Sequence, residues 1–194
     1  MNSVSLIGTP RTEMGKERVK QYRKQNLVPC SLYDGGKSTH FTVPFKDLRP
    51  IVYTPQVFLI DLSLENINTK CIIKGLQFHP VFDNLLHVEF VKVKDNAPIE
   101  VELPVKLVGT AEGVLAGGKL VQKTRVLRVR GIYKNLPTYV EIDISPLKLG
   151  RSLKVRELQF DNFTIAMAKD VPIASIEIPR ALRQQAAVQQ KAKK

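Results

Sequence analysis

Two polar side chains that can recognise hydrogen-bonding groups stand two residues apart, at His87 and Glu89. They alternate with Val88 and Phe90, and this period of two predicts a β-strand that carries the polar pair on one face and the apolar pair on the other. An imidazole donates or accepts a hydrogen bond and a carboxylate accepts one, so the pair could contact 2′-hydroxyls and base edges in the shallow minor groove of RNA. The same pattern also suits a surface pair without a ligand.

Two more polar side chains, Gln77 and His79, end the segment that precedes this strand. The segments read as neighbouring strands of a hairpin, so all four polar side chains are expected near one another. A second candidate feature is a helix predicted over KERVKQYRKQN, residues 16–26, which lacks Gly and Pro. Val19 and Tyr22 indicate its packed face, and four cations recur at helical spacing to form a basic face: Lys16, Lys20, Arg23 and Lys24.

Patterns typical of enzymes are incomplete. Residues 113–119 (GVLAGGK) fit the start of a phosphate-binding P-loop, but Leu120 stands where a Ser or Thr hydroxyl must hold Mg²⁺, and a strand instead of a helix is predicted to follow. A flexible β-loop is therefore expected. Glu100 and Glu102 share one face of a predicted strand, which is the usual appearance of a solvent-facing strand. The sequence predicts no enzyme, no catalytic residue and no cofactor.

The two cysteines, Cys30 and Cys71, are too few for a disulfide scaffold and form no CxxC pair, so both are expected in the core of a cytosolic protein without a metal site. The first residues lack the basic and apolar regions of a secretory signal peptide. No stretch approaches the roughly 18 apolar residues that a transmembrane helix needs. A cytoplasmic protein without membrane contact is expected.

Positive charge is concentrated at the two ends of the chain. The 194 residues carry 30 Lys and Arg against 18 Asp and Glu, a formal net charge of +12. Residues 1–50 contribute +5, residues 51–94 none, residues 95–179 +2 and residues 180–194 +5. A localised excess of this kind is typical of a protein that binds a polyanion, above all a nucleic acid.

The elements that must position these residues are mostly β-strands. Residues 1–94 predict a first strand, the basic helix, a hairpin around Gly35–Gly36, a short helix over FKDLRPIVY that Pro50 opposes, and three further strands ending in LLHVEFVKV. Asp95–Pro98 is the best boundary candidate. Residues 95–179 alternate through several more strands without a convincing helix pattern, and residues 180–194 form a basic helix-prone or disordered tail.

The predicted fold class is therefore mostly β. It comprises an N-terminal small β-barrel with one or two helices (1–94), a C-terminal all-β sandwich or roll (95–179), and the basic tail (180–194).

Several motifs taken in order resemble a known family. They are Arg11-x3-Gly15-Lys16, the basic helix, Pro29-x3-Tyr33-x-Gly35, Gln77-x-His79-Pro80 and His87-x-Glu89-Phe90. Together they resemble the bacterial 5S-rRNA-binding ribosomal proteins of the large subunit known as the Ctc or general-stress family. Residues 99–118 (IEVELPVKLVGTAEGVLAGG) resemble the start of the extra β domain of its longer members.

The resemblance implies a non-enzymatic protein that docks on the loop E region of 5S rRNA through a β-barrel face and a basic helix. It implies phosphate contacts by Arg11, Lys16, Lys20 and Arg23, and a minor-groove surface lined by Tyr33, Gln77, His79, His87 and Glu89. Glu89 stands where the family usually has Asp, and Val19 and Gln21 stand where short polar and basic residues are common.

The predicted function is thus that of a structural ribosomal protein of the large subunit. Its predicted partners are 5S rRNA, neighbouring large-subunit proteins and other rRNA, with no membrane and no small-molecule substrate. An alternative stays open, since the nearly neutral second unit could make the chain a protein-interaction adaptor that recruits a partner to its β edges.

Overall fold

The computed structural model describes residues 2–13, 15–65, 67–95 and 97–179. Strands account for 49% of the structure and helices for 15%, which confirms the mostly β class. Contacts divide the chain into two compact units, of which the first holds the residues through Val101 together with Gly131–Thr138. Within this unit the Tyr133 hydroxyl donates a hydrogen bond to Asp95 Oδ1 at 2.6 Å. The boundary after residue 94 remains a prediction of the sequence.

The first unit contains a seven-stranded sheet and two helices. Its strands are β1 (Asn2–Ile7), β2 (Thr9–Pro10), β3 (Leu27–Asp34), β4 (Lys37–Pro44), β5 (Phe58–Leu64), β6 (Ile67–Phe78) and β7 (Leu85–Lys92), and its helices are α1 (Lys16–Lys24) and α2 (Phe45–Val52). The strand order is β1-β5-β6-β7-β3-β4-β2. β1 pairs with β5 and β3 pairs with β7 in parallel, whereas the other neighbours are antiparallel.

The sheet forms a barrel, because a single residue connects its two edge strands. β1 and β2 lie at opposite edges of the sheet, yet only Gly8 separates them in sequence. The Gly8 N–H donates to Ser63 O at 3.0 Å. A Cβ on Gly8 would approach Leu64 Cδ2 and Phe41 Cδ2 to 2.7 Å, because the chain crosses there between side chains of β5 and β4. Glycine is required for this close approach.

The barrel interior is filled by apolar side chains that stand at alternate positions along the strands. Phe41 and Phe90 are fully buried, and their ring centroids lie 5.6 Å apart. Cys30 and Cys71 are also fully buried, as predicted, and both are free thiols. Burial raises the pKa of both thiols, that of Cys71 to about 12, so neither has the thiolate character of a reactive cysteine.

Helix α2 forms in spite of Pro50, which lies in its second half. Proline removes one backbone donor from the helix. Leu48 and Ile51 on the inner face of α2 are 0% and 4% exposed, and their burial offsets that loss. The Thr54 hydroxyl donates to the Pro50 carbonyl at 2.7 Å and satisfies an acceptor at the helix end. The helix predicted over this segment therefore forms although Pro50 opposes it, because its inner face is buried.

The second unit is built from two small sheets. The remaining strands lie in this unit except for the first three residues of β8 and the last residue of β10. They are β8 (Ile99–Val108), β9 (Lys119–Gln122), β10 (Val126–Gly131), β11 (Val140–Asp143), β12 (Ser152–Lys154), β13 (Thr164–Ile165) and β14 (Pro172–Glu177). The four-stranded sheet has the order β11-β8-β10-β13, and the three-stranded sheet has the order β12-β14-β9. A core of Ala111, Ile144, Leu147, Ala174 and Ile176 packs within this unit.

The glycine-rich segment that resembles a P-loop is a packing element of this second unit. A one-turn helix, α3 (Glu112–Leu115), forms where a flexible loop was predicted, so the expectation of a helix-free unit is wrong at this point. A Cβ on Gly113 would lie 2.6 Å from Leu149 N, and one on Gly118 would lie 2.6 Å from Gly113 O. These glycines therefore permit close packing of backbone.

The sequence also carries expectations about membrane-spanning helices, metal sites and the C-terminal tail. No helix within the described ranges is long and apolar enough to cross a membrane. The same part of the chain contains no group of three or more His, Cys, Asp or Glu placed to hold a metal ion. The predicted tail at 180–194 lies outside the described residues.

Candidate nucleic-acid interface

One face of the barrel carries a cluster of polar side chains from three adjacent strands. Ser31 on β3 is 3% exposed, and its hydroxyl lies 3.1 Å from His40 Nδ1 on β4 and 3.1 Å from His87 Nε2 on β7. Val88 and Phe90 point into the core and are fully buried, which confirms the predicted alternation along β7. The structure therefore places His87 on the outer face of the sheet, as part of a hydrogen-bonded network that we call the Ser31 cluster (Ser31, His40 and His87).

Backbone register brings these side chains together. The turn at Gly35–Gly36, with φ of 55° and 104°, connects β3 to β4 as a two-residue hairpin loop that only residues tolerant of positive φ can form. This loop pairs Ser31 with His40. The parallel β3–β7 ladder places Glu89 opposite Ser31 on the other side. Ser31, His40 and Glu89 are register partners on adjacent strands, so their side chains lie on the same face of the sheet.

The Ser31 hydroxyl couples the tautomers of the two imidazoles. A hydroxyl has a single proton, so at most one of the two facing nitrogens can accept from it and the other must donate. If Ser31 donates to His40 Nδ1, then His87 Nε2 carries a proton and a neutral His87 presents Nδ1 as an acceptor. If Ser31 donates to His87 Nε2, then Nδ1 carries the proton and presents a donor. The hydrogen-bonding character that His87 offers a ligand is thus linked to His40.

Buried polar atoms next to this network have no hydrogen-bond partner among the described residues. They are Nε and Nη1 of Arg11 and Nδ1 of His87. Arg11 follows β2, and its backbone N–H donates to His40 O at 3.0 Å, which positions the side chain beside the cluster. A buried donor without a partner costs roughly 1–3 kcal/mol. These atoms therefore keep hydrogen-bonding capacity that the described part of the protein does not use.

Arg23 anchors the basic helix to the same strand. Its Nε and Nη2 donate to the Leu86 carbonyl at 3.2 and 2.9 Å. Burial lowers the pKa of Arg23, and the nearby Arg11 guanidinium adds to the effect, although a guanidinium stays charged at neutral pH. The family resemblance implies a phosphate contact for Arg23, and the structure adds a second role, because two of its donors dock α1 on β7. Its Nη1 takes no part in these two bonds.

Lys16 and Lys20 are exposed on α1, as the predicted basic face requires. Val19 and Tyr22 on the other face are half-buried, and the helix packs against β3. The helix thus presents flexible ammonium groups beside the strand that carries Ser31. This arrangement suits contacts to phosphates that need charge and little geometric precision.

Three further predicted residues lie on the polar face with varied exposure. Tyr33 is 40% exposed at the hairpin end of β3. Gln77 on β6 is exposed and pairs in register with His87. Glu89 is half-buried, and its carboxylate lies over Gly75, where a Cβ would stand 3.0 Å from Glu89 Oε2. The extra methylene of Glu89 is therefore accommodated by the missing side chain at residue 75.

His79 stabilises the loop that follows β6. Its Nδ1 accepts hydrogen bonds from the N–H groups of Val81 and Phe82, both at 3.2 Å, and its ring lies 4.9 Å from that of Phe82. The loop after β6 is therefore held by the His79 ring, which has only Nε2 left for another partner. Val81 and Phe82 at the loop tip are 76% and 70% exposed.

The environment of His87 makes its titration a direct check on this geometry. Burial lowers the pKa of His87 below its ordinary 6.5; Glu89 opposes the shift, whereas Arg11, Arg23 and His40 add to it. Because the pKa of His87 is lower in the folded protein, the unfolded chain binds the proton more tightly. The contribution of neutral His87 to the stability of the fold is therefore complete above about pH 6.5. This contribution is lost as the pH falls through the folded pKa. We expect histidine NMR of the full chain to give a His87 midpoint below 6.5.

The matched variant for this prediction is His87→Gln, which keeps a hydrogen-bonding side chain but cannot titrate. Its free energy of unfolding should fall less steeply than that of the wild type between about pH 7.5 and about pH 5.5. A midpoint at or above 6.5, or equal slopes for the two proteins, would contradict the burial of the His87 ring.

Sequence reasoning missed Ser31 and His40, the two residues that complete the cluster. A signal was present, because a two-residue Gly-Gly loop fixes the β3–β4 register and so pairs Ser31 with His40. No local pattern indicates the parallel pairing of β3 with β7. Of the nine predicted residues, Arg11, Arg23, His87 and Glu89 meet around the cluster through contact or charge interaction, whereas His79 belongs to the adjacent loop.

Comparisons with known proteins cover both units. Residues 6–90 match the family model described as Ribosomal L25p family, and residues 98–180 match that described as Ribosomal protein TL5, C-terminal domain. The "Large ribosomal subunit protein bL25" of Azobacteroides pseudotrichonymphae is 44% identical, over 94% of this chain and 97% of its own. The protein of the same name in Porphyromonas gingivalis is 40% identical, over 94% and 96%, and that of Bacteroides thetaiotaomicron is 41% identical, over 96% and 98%. On similarity that spans both units, the chain belongs to the L25p family of large-subunit ribosomal proteins.

Proposed function

We propose that the first unit binds 5S rRNA through the outer face of its barrel and its basic helix. The observation that carries this proposal is the set of buried polar atoms at Arg11 and His87, beside the Ser31 cluster, that have no partner among the residues the structure describes. The family makes the chain a structural, non-enzymatic component of the cytoplasmic ribosome. Its ligand at this face is then an RNA, whose phosphates and base edges carry the acceptors and donors that these atoms lack.

Affinity and selectivity would come from different parts of the face. Lys16, Lys20 and the guanidinium of Arg11 supply charge that meets phosphates, which gives salt-dependent and sequence-independent affinity. His87, Glu89 and Gln77 present hydrogen-bonding groups at fixed strand positions, which suits the shallow minor groove of the loop E region. The rigid strand positions make these contacts sensitive to the shape of the RNA, whereas the lysines tolerate many shapes.

A salt series tests this division of roles. The full chain is titrated with 5S rRNA and with a length-matched plain RNA duplex, as wild type, as His87→Ala and as Lys20→Ala. We expect the wild type to bind 5S rRNA more tightly than the duplex. In His87→Ala the ratio of the two affinities should fall about tenfold, and the slope of log K against log salt should not change. Lys20→Ala should weaken binding to both RNAs and reduce the slope of log K against log salt by about 0.7 to 0.9.

Two results would refute the proposal. One is equal binding of the wild type to both RNAs, which would reduce the face to a general basic surface. The other is a His87→Ala variant that loses affinity equally for both RNAs, because a residue that selects must affect the ratio of the two affinities.

A further inference from the structure

The second unit contains a cleft of about 530 Å³ whose rim is strongly cationic. Four of its lining side chains are basic and one is acidic: Lys148, Arg151, Lys154, Arg156 and Glu157. The described part of residues 95–179 is close to neutral as a whole, with 12 basic and 10 acidic residues in the sequence. Four of these twelve basic residues therefore lie around one cleft, a local arrangement that attracts an anion.

A tight turn fixes two of these cations on one side of the cleft. The Arg151 N–H donates to Lys148 O at 3.1 Å, and Gly150 has a φ of +74°, which is the geometry of a type II turn with glycine at its third position. Gly150 N also donates to Ile176 O, and Arg151 O accepts from Ile176 N, both at 3.0 Å. The turn is thereby pinned to β14, and within the described residues neither Lys148 nor Arg151 forms an ion pair.

The other two cations share a single exposed carboxylate. Lys154 Nζ and Arg156 Nη1 each lie 3.6 Å from Asp170 Oδ1, and the Asp170 side chain is 78% exposed. Ion pairs of this length and exposure contribute little to stability. An anion with several charged oxygens could therefore replace Asp170 as their partner at small cost. The Arg156 N–H donates to Lys169 O at 3.0 Å, which holds the two segments together.

Hydroxyl groups add hydrogen-bonding capacity to the same side of the sheet. Ser152 lines the cleft and is the register partner of Ser175 on β14. Directly opposed residues of antiparallel strands point to the same face. The Ser175 hydroxyl is buried and has no hydrogen-bond partner in the described part of the chain.

We propose that this cleft binds the phosphate backbone of a second RNA segment, distinct from the RNA that the first unit binds. Guanidinium and ammonium groups with an adjacent hydroxyl are the usual ligands of RNA phosphates. The chain belongs to a ribosomal family, and the polyanion that surrounds a ribosomal protein is RNA. The cleft shares no residue with the Ser31 cluster, so this inference stands whether or not the first unit selects 5S rRNA.

The test uses the full chain with a fluorescent plain RNA duplex, added after the protein has been saturated with unlabelled 5S rRNA. The double variant Lys148→Ala/Arg151→Ala should bind the duplex about five- to tenfold more weakly, and its salt slope should fall by about 1.5. The matched control is Lys119→Ala/Arg125→Ala, which removes the same charge from the second unit outside the cleft and should leave the slope within about 0.5 of the wild type.

Asp170→Asn should increase the affinity for the duplex, a result that misfolding would not produce. Removal of the competing carboxylate should strengthen duplex binding about two- to threefold, because Lys154 and Arg156 are released for phosphate. Equal effects of the two double variants would overturn the proposal, as would Asp170→Asn binding no tighter than the wild type. Stronger binding of poly-glutamate than of the duplex would assign the cleft to an acidic protein instead. Binding of 5S rRNA, measured first in each sample, reports separately on the first unit.

Discussion

Arg11→Ala should weaken binding of 5S rRNA by about 10- to 150-fold while leaving the protein at least as stable as the wild type. Arg11 has two buried guanidinium nitrogens with no partner among the described residues, so the substitution breaks no bond that these atoms make in the free protein. Hydrogen bonds to charged groups are worth about 1.5–3 kcal/mol, which corresponds to the expected loss of affinity. Fluorescence anisotropy with labelled 5S rRNA measures the affinity, and urea unfolding measures the stability.

Arg18→Ala is the control for Arg11. Arg18 carries the same charge but is 53% exposed and forms an ion pair with Glu13 at 2.6 Å. Its removal should change affinity less than about threefold, because exposed pairs contribute little. Equal affinity losses in the two variants would show that the face acts only through net charge, and the assignment of Arg11 to a hydrogen-bonded phosphate contact would be withdrawn.

Phe90→Ala should lower the free energy of unfolding of the first unit by about 3–5 kcal/mol. Phe90 is fully buried, and its ring packs 5.6 Å from that of Phe41 across the barrel interior. The same strand carries His87 and Glu89 on its other face, so loss of packing should also weaken 5S rRNA binding through the unfolded fraction of molecules. Urea unfolding followed by circular dichroism measures the change.

Phe82→Ala is the matched control for this prediction. Phe82 is 70% exposed on the loop before β7, so the same truncation should cost less than about 1 kcal/mol. A loss below about 1 kcal/mol in Phe90→Ala as well would mean that the ring is not part of a packed core. The comparison separates the effect of burial from that of removing an aromatic side chain.

Local patterns were sufficient for most elements and for part of the site. The alternation around His87 identified both the buried face of β7 and the polar face that carries Glu89. The helical spacing of Lys16 and Lys20 identified the exposed basic helix, and the Gly35–Gly36 turn identified the hairpin. The short helix predicted around Pro50 is confirmed, because burial of the inner face of α2 outweighs the proline. The prediction failed at the glycine-rich segment, where a loop was expected and the one-turn α3 forms.

The sequence by itself determined the mostly β class, the polar and apolar face of each strand and the concentration of charge at the chain ends, because these depend on residue order and on the strand and helix periods. Only the tertiary structure decided which polar residues meet. Ser31 and His87 are 56 positions apart and become neighbours through a parallel strand pair, for which no short-range signal exists. The bond from Arg23 to the Leu86 carbonyl and the use of His79 inside its own loop have the same cause, since they depend on the three-dimensional course of the backbone.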